Sequence, residues 1–500
     1  MRIKTDLIRA ITLAVAIAGA PVHADNGKTS LTINLPGDAA TLDPHLQWNT
    51  DSYTIYRNIF DNLLTRDAEG QIAPQIATAW NYLNDTTIEF QIRDDVTFQD
   101  GSKLTAEDVA FSINRIIDPE LKSPQLSQFN QIQNAVASGP NTVTMITKSP
   151  YPALLAQLVK LSIVPKAYVK SVGNEEFNLK PMGSGPFQLV EWQKGVQTEL
   201  RSFDAYWRGK PPFETVTFRA VPDVSTRIAD LKTGKADLIR DLPPDQAQSI
   251  ASEGGSQVLS VPTERVGYLY INAQAGPTAD VRVRQAIAYA IDRPTLIEAL
   301  LQGYAAPVNI IGAPPIFGYT DTIDGYAFDL DKAKALVAEA GAEGAVIEFI
   351  TSPAYNQQLV QAIQQMVGDA GMTVEISTTD QPTFLKLRQG KPETAGGLAI
   401  GAWSCACQDA DGVIFPLFRT GSVWAKYSNP AFDTLVDSAR STLNVEQRMA
   451  DYKGAYEILN EDVPGVGLYQ VYAVYGASKN LAWAPSANES MFVFDMSWQP

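Results

Sequence analysis

Histidine is nearly missing from this 500-residue chain, which has only His23 and His45. His23 falls in a segment read below as an export signal, so one imidazole remains. One imidazole cannot build a multi-histidine metal site, and it leaves little for histidine acid–base chemistry. Cysteine is as scarce: Cys405 and Cys407 form a Cys-x-Cys pair, not a Cys-x-x-Cys redox motif, and no second pair completes a zinc site. Basic residues are outnumbered, 39 against 55 acidic, for a net charge of −16. Such a surface repels phosphate backbones and anionic lipid, so no nucleic-acid partner is expected. There is no Gly-x-x-x-x-Gly-Lys-Ser/Thr loop, and Gly183-Ser184-Gly185-Pro186 reads as a turn into a strand, not a dinucleotide fingerprint. These absences argue against an enzyme, and neither a cofactor nor a metal is expected.

What is present is ordinary globular composition, 45% hydrophobic and 19% charged, in a chain long enough for two or three domains. Arg2, Lys4 and Arg9 precede a short apolar run from Ala10 to Gly19, and Val22-His23-Ala24 makes a cleavage site. This is the pattern of a secretory signal peptide over residues 1–24, with Asp25 as the new N-terminus. The apolar run is too short for the roughly 20 residues that span a bilayer. The mature protein is therefore expected to be exported, soluble and periplasmic.

Periodicity predicts an α/β fold. Ser30 to Leu35 alternates as a strand and ends at the turn Pro36-Gly37-Asp38, followed by a helix carrying Tyr53, Tyr56, Phe60, Leu63 and Leu64 on one stripe. Thr105 to Asp108 is a capping box opening a helix. Pro186 to Arg201 reads as a hairpin, and Thr215 to Ile239 as strand–helix–strand. In the second half, Asp280 and Asp292 open helices, and Val346 to Ser377 has the spacing of a βαβ unit, which implies a parallel sheet with a right-handed crossover.

The most informative segment is Trp403-Ser404-Cys405-Ala406-Cys407-Gln408-Asp409-Ala410-Asp411-Gly412, which breaks a strand running from Gly397. In open α/β sheets ligands sit outside the carboxyl ends of strands. This loop and Pro36-Gly37-Asp38 both occupy such ends, and two loops from two halves describe a cleft. In an extended segment Cys405 and Cys407 would have Cα atoms roughly 6.5–7 Å apart, at the limit for a disulfide. A bent loop could bring them closer in an oxidising compartment, but two packed thiols lining the pocket are the expectation. Asp409 and Asp411 lack calcium-loop spacing. A runner-up reading is an exported glycoside hydrolase using these carboxylates, although residues i and i+2 of one loop do not readily flank a scissile bond.

Several ordered segments carry a resemblance: Thr41-Leu42-Asp43-Pro44, Ile59 to Leu64, Phe98 to Gly101 leading into Leu104 to Ser112, Gly183 to Phe187, and Asp280 to Ile287. With them the chain resembles the family 5 solute-binding proteins of ABC importers, the peptide, nickel and opine group. The resemblance implies a class II two-lobed periplasmic binding fold. Lobe I would span residues 25–270, with an extra subdomain at about 62–170, lobe II 271–470, and 471–500 would return to lobe I. Hinge strands would lie near Val266–Asn272 and Gly467–Ala473. A monomer is expected, delivering a small-molecule solute to ABC permease subunits in the inner membrane.

By the same likeness the ligand contacts would come from Pro36, Gly37, Asp38, Tyr355, Asn356, Trp403, Ser404, Cys405, Ala406, Cys407 and Asp409, with Arg388 as a charge partner if it reaches the cleft. Dipeptide-binding members hold the peptide's amino group with an aspartate where this chain has Ala406. Their arginine for the carboxylate falls near Pro353. A buried ammonium without its counter-ion costs several kcal/mol, so the resemblance favours an opine or sugar-phosphate conjugate over a di- or oligopeptide.

Overall fold

A computed structural model describes residues 28–46, 49–67, 70–252, 254–405 and 407–499. The predicted signal segment and Ala406 lie outside the described residues.

The main sheet runs Thr373–Thr378, Val346–Thr351, Leu398–Trp403, Ser256–Ile271, Gly465–Ser478, Leu238–Ile239, Ser30–Leu35, Thr215–Ala220, Gln197–Ser202, Phe187–Gln193, with Ala305–Pro307 pairing Gly465–Ser478 off this path. Its two flanks are parallel at their centres. Ser30–Leu35 pairs in parallel with both Thr215–Ala220 and Leu238–Ile239. Val346–Thr351 does so with both Thr373–Thr378 and Leu398–Trp403. The predicted βαβ unit and hairpin both form, the latter as Phe187–Gln193 against Gln197–Ser202.

Between the flanks run the two longest strands, Ser256–Ile271 and Gly465–Ser478, paired antiparallel from Ser256↔Ser478 to Tyr270↔Gly465. Their register shifts between Pro262 and Val266 and again at Gly267, and such bulges bend and twist a ladder locally. Gly267 is required by packing: a Cβ there would lie 2.7 Å from the Tyr469 ring.

The hydrophobic cores divide accordingly. One surrounds Leu31, Ile33, Phe218 and Tyr475 and also takes in Val493 and Met496 near the C-terminus. Two others cover the opposite faces of the second flank, around Ile287, Phe349 and Ile363, and around Tyr268, Ile414 and Tyr456. A fourth fills the space between the helix Ala106–Ile117 and a separate four-stranded sheet, Ala77–Asn84, Thr87–Ile92, Thr142–Thr147, Ile132–Gly139. That helix opens with the predicted capping box, Asp108 accepting from the Thr105 backbone at 2.9 Å.

One expectation is corrected. The predicted helix through Leu64 stops at Tyr56, although Phe60, Leu63 and Leu64 are fully buried as the stripe required. Polar side chains end it. Asn58 turns back on the Thr54 carbonyl and also bonds Met491 O and Val493 N. Asp61 is held by Gln75, Ser184, Tyr206 and Trp207.

Candidate functional site

The loop after Trp403 leaves the carboxyl end of Leu398–Trp403 as predicted and then turns sharply. Gln408 takes φ +50 and donates from its backbone to Cys405 O at 2.7 Å. The expectation of two free thiols is overturned. The Cα atoms of Cys405 and Cys407 are 5.0 Å apart, inside the range for bonding, and the two form a disulfide. Gly412 makes room for it, since a Cβ there would lie 2.2 Å from Cys405 Sγ.

The rest of the loop is fixed from beneath. Asp409 is buried; its carboxylate accepts from Arg448 at 2.8 Å and Tyr452 at 3.1 Å, and caps Asp411 N at 3.0 Å. Its charge is therefore spent on holding the loop. Asp411 pairs with Arg440 at 2.8 Å, and burial pushes its carboxyl up to about 6. Trp403 donates from Nε1 to Gly412 O at 2.9 Å and meets Trp424 edge-on, 5.6 Å between ring centroids. Ser404 is exposed.

Other predicted site residues make their own contacts outside this loop, although Tyr355 packs against the same hydrophobic cluster as Trp403 and Cys405. Arg388 lies under the sheet, its guanidinium 3.2 Å from the Tyr270 ring centroid. Tyr270 pairs with Ala399, four residues before Trp403 along the strand. Asn356 caps the helix Gln357–Asp369, accepting from Gln358 N at 3.0 Å, while Tyr355 packs its ring against Phe384. Asp38 holds the Phe187–Ser202 hairpin by accepting from Trp192 Nε1 and from Gly195 N at 2.7 Å. Pro36 and Gly37 sit at the end of Ser30–Leu35, and a Cβ on Gly37 would lie 2.6 Å from an Asp51 carboxylate oxygen.

Sequence reasoning missed two charged groups. In the first, the subdomain reaches the loop: Arg66 donates from Nη2 to Cys407 O at 2.9 Å. Beside it, Lys160 faces Glu264, whose carboxylate is also hydrogen-bonded by the Gln408 side chain. Burial drives Glu264 up and Lys160 down, and each partner opposes the other's shift. The subdomain, a long central strand and the second flank thus meet at one buried point.

The second group surrounds a cavity of about 230 Å³ lined by Asp241 to Pro244, Thr263, Arg265, Val471 to Val474 and Glu489. Arg265 and Glu489 pair across it at 2.8 Å. Asp241 and Glu489 hold φ +54 and +58, a strain that clusters at functional sites. Behind Asp241, Arg240 pairs with Asp51 at 2.6 Å. This is the carboxyl end of the parallel trio around Ser30–Leu35, the edge where α/β sheets receive ligands.

Two halves joined by a pair of long strands, with polar loops at both strand ends, define a two-lobed binding protein. The chain belongs to the family described as bacterial extracellular solute-binding proteins, family 5 Middle, whose model matches residues 71–424. It is 27% identical over 458 residues to the glutathione-binding protein GsiB of Shigella dysenteriae, covering 88% of this chain and 89% of that one. Among solved structures, DppA of Helicobacter pylori in complex with the peptide STSA superposes with a TM-score of 0.77 at 25% identity, over 94% of this chain and 98% of that one. AgaA of A. tumefaciens R10 in complex with agropinic acid gives a TM-score of 0.76 at 25% identity, over 94% and 99%. These relatives are solute-binding proteins and not enzymes. Among the described residues no helix is long and apolar enough to cross a membrane, and no group of three or more His, Cys, Asp or Glu could hold a metal ion.

Proposed function

We propose that this substrate-binding component of an ABC importer captures a small polar solute, an opine or a sugar-phosphate conjugate, and delivers it to the membrane permease. One observation supports a polar ligand: the cavity at the carboxyl edge of the first flank is lined by Asp241, Arg265 and Glu489, with Arg265 paired to Glu489 at 2.8 Å. That charged lining suits a small polar solute. The position near Pro353, where dipeptide binders would place an arginine, is exposed and uncharged. In this reading Trp403, Ser404 and the disulfide loop form the opposite wall of the cleft. The lobes follow the boundaries 25–270, 271–470 and 471–500, residues 1–24 are removed on export, and the protein acts as a monomer.

A second reading, a di- or oligopeptide importer, is favoured by the relative named as glutathione-binding and by the relative solved with a peptide. Native mass spectrometry of protein purified without denaturation, followed by calorimetry against opines, sugar phosphates, glutathione and dipeptides, separates the two. Micromolar binding of ordinary dipeptides would select the peptide reading. The intact mass of native material reports on removal of residues 1–24, and Met1 retained would sink the export reading.

A further inference from the structure

We infer that Arg388 and Lys426 form an oxyanion site on the second flank, taking a carboxylate or phosphate group of the solute. The inference rests on the binding-protein reading above and deepens it by assigning residues to the solute's charged end.

In a chain of net charge −16, these two cations are buried, Arg388 at 3% and Lys426 at 4% exposure. Among the described residues neither is paired with a carboxylate. Lysine and arginine are almost never buried without a partner of opposite charge, because the interior does not solvate a charge as water does. The charge acting on Lys426 is that of Arg388, of the same sign; burial first, and then this repulsion, lower its pKa to about 8. Lys426 donates only to the neutral carbonyls of Val423 and Ala425, at 3.0 and 3.3 Å. Arg388 stacks on the Tyr270 ring and approaches the hydroxyls of Tyr268 and Tyr270. Yet its Nη1 and the Tyr270 hydroxyl complete no hydrogen bond among the described residues. Guanidinium and ammonium only donate, so what is missing is an acceptor that carries negative charge. Carboxylate and phosphate oxygens are such acceptors.

The two cations lie on the face of the sheet that Trp403 occupies. Val266, Tyr268 and Tyr270 stand opposite Trp403, Gly401 and Ala399, and opposed residues of an antiparallel pair share a face. The helix Gln381–Gln389, which carries Arg388, packs Phe384 and Leu385 into the same core. Lys426 follows Trp424, whose ring meets Trp403, and its carbonyl accepts from Ala273 N at 3.0 Å just past the long strand. Gly401 leaves room for the Tyr268 ring, since a Cβ there would lie 2.6 Å from it. Gly401 and Trp403 are both partly exposed, so solvent reaches this stretch of the strand beside Tyr268. From Trp403 to Ala399 is roughly 13 Å of strand, and an elongated solute lying along it presents its acid group to Arg388.

A purely structural role predicts something different. If Lys426 only closes the turn at Val423 and Arg388 only packs against Tyr270, their loss lowers stability and has no preference for anions. The experiment is calorimetry on the full protein with wild type, Arg388→Gln, Lys426→Met and Lys453→Met. The probes are agropinic acid, mannopinic acid, glutathione and glucose 6-phosphate. Thermal unfolding of the same proteins without solute, in chloride, acetate or phosphate at one ionic strength, gives a second readout.

Arg388→Gln and Lys426→Met are each expected to lose roughly 10–100-fold in affinity for the probe that wild type binds, the scale of one bond to a charged group. Lys453→Met, which removes an exposed positive charge, should bind as wild type does. Without solute, Lys426→Met should unfold no lower than wild type, because a buried pair of like charges is relieved. Wild type should unfold higher in acetate or phosphate than in chloride, and both site variants should lose that difference. Which anion acts identifies the group that is taken. Unchanged affinity in both site variants, or an equal loss in Lys453→Met, would overturn the assignment while leaving the importer reading intact. Lower stability of Lys426→Met with the anion effect retained would assign it to the turn and overturn the site. An anion effect lost in the variants, with none of the four solutes bound by wild type, would support the site and remove the opine and sugar-phosphate reading. Absence of both binding and anion effect in wild type would remove both. If Arg388→Gln does not fold, Lys426→Met carries the comparison.

Discussion

Arg66 and Cys407, 341 residues apart, are joined by a 2.9 Å hydrogen bond from a guanidinium to a backbone carbonyl. The bond ties the segment that leads into the four-stranded sheet to the loop after Trp403. Its neighbours Lys160, Glu264 and Gln408 converge on the same point. If the two halves open and close about the two long strands, contacts such as these are made in one state and lost in the other, and they bias the equilibrium between them.

Arg66→Ala is therefore expected to favour the open form. A hydrogen bond to a charged group contributes roughly 1.5–3 kcal/mol, so ligand affinity should fall by about 10–100-fold. Small-angle scattering should show a larger radius for the ligand-free variant than for wild type. An unchanged radius together with unchanged affinity would refute the bias.

The disulfide closes a ring of very few residues, so its effect on the unfolded chain is small, about 1–2 kcal/mol by loop entropy. Its larger effect is on the shape of the loop after Trp403, which the proposed function places at the ligand. Cys405→Ser/Cys407→Ser is expected to lower stability modestly and ligand affinity more strongly. Thiol titration of the denatured, unreduced protein should find no free thiol, and two free thiols would refute the bond itself.

His45 offers a pH test. It is fully buried, with Nε2 donating to Ser162 O at 2.9 Å and Nδ1 accepting from Arg115 at 3.0 Å, so the ring is held neutral. Burial first, and then the Arg115 charge, lower its pKa from 6.5 to about 4. The unfolded state takes up a proton near pH 6.5 and the folded state only near pH 4. Stability is thus fully present above pH 6.5 and is lost as pH falls between those values. The loss amounts to roughly 3 kcal/mol from this group. Urea denaturation at pH 7 and pH 4.5 should show a steeper fall for wild type than for His45→Gln, and equal falls would contradict the linkage.

Local signals in the sequence were legible where short-range physics decides them. The capping box at Thr105, the βαβ unit after Val346 and the strand ending at Trp403 follow from periodicity and turn chemistry. The helix stop at Tyr56 was not legible, because Asn58 and Asp61 find partners more than a hundred residues away. The Cys405–Cys407 bond depends on a Cα separation of 5.0 Å, shorter than an extended segment gives, and spacing alone does not reveal it. Arg240 and Asp241 stand directly after a strand that periodicity predicted, so the rule that ligands sit at carboxyl ends of strands could have found them. Glu264 and Arg265 lie inside the strand Ser256–Ile271, just before the expected hinge at Val266, where no turn or strand end marks them. Lys160 and Arg66 carry no such local mark, since only the fold brings the subdomain to the loop.

Trp403 has two roles that mutation can separate. Its indole N–H fixes Gly412 O, and its ring stands edge-on to Trp424 on a half-buried surface at the mouth of the loop. The hydrogen bond supports the loop, while the ring face is available for a flat or sugar-like ligand surface. Trp403→Phe keeps an aromatic face and loses the N–H, so stability should fall by about 1 kcal/mol with affinity changed only a few-fold. Trp403→Ala loses both, and a stacking platform contributes roughly 1–3 kcal/mol, equivalent to about 5–150-fold in affinity. Calorimetry and thermal unfolding on the two variants distinguish these contributions. If Trp403→Ala binds as tightly as Trp403→Phe, the ring is not a ligand platform and Trp403 serves the loop alone.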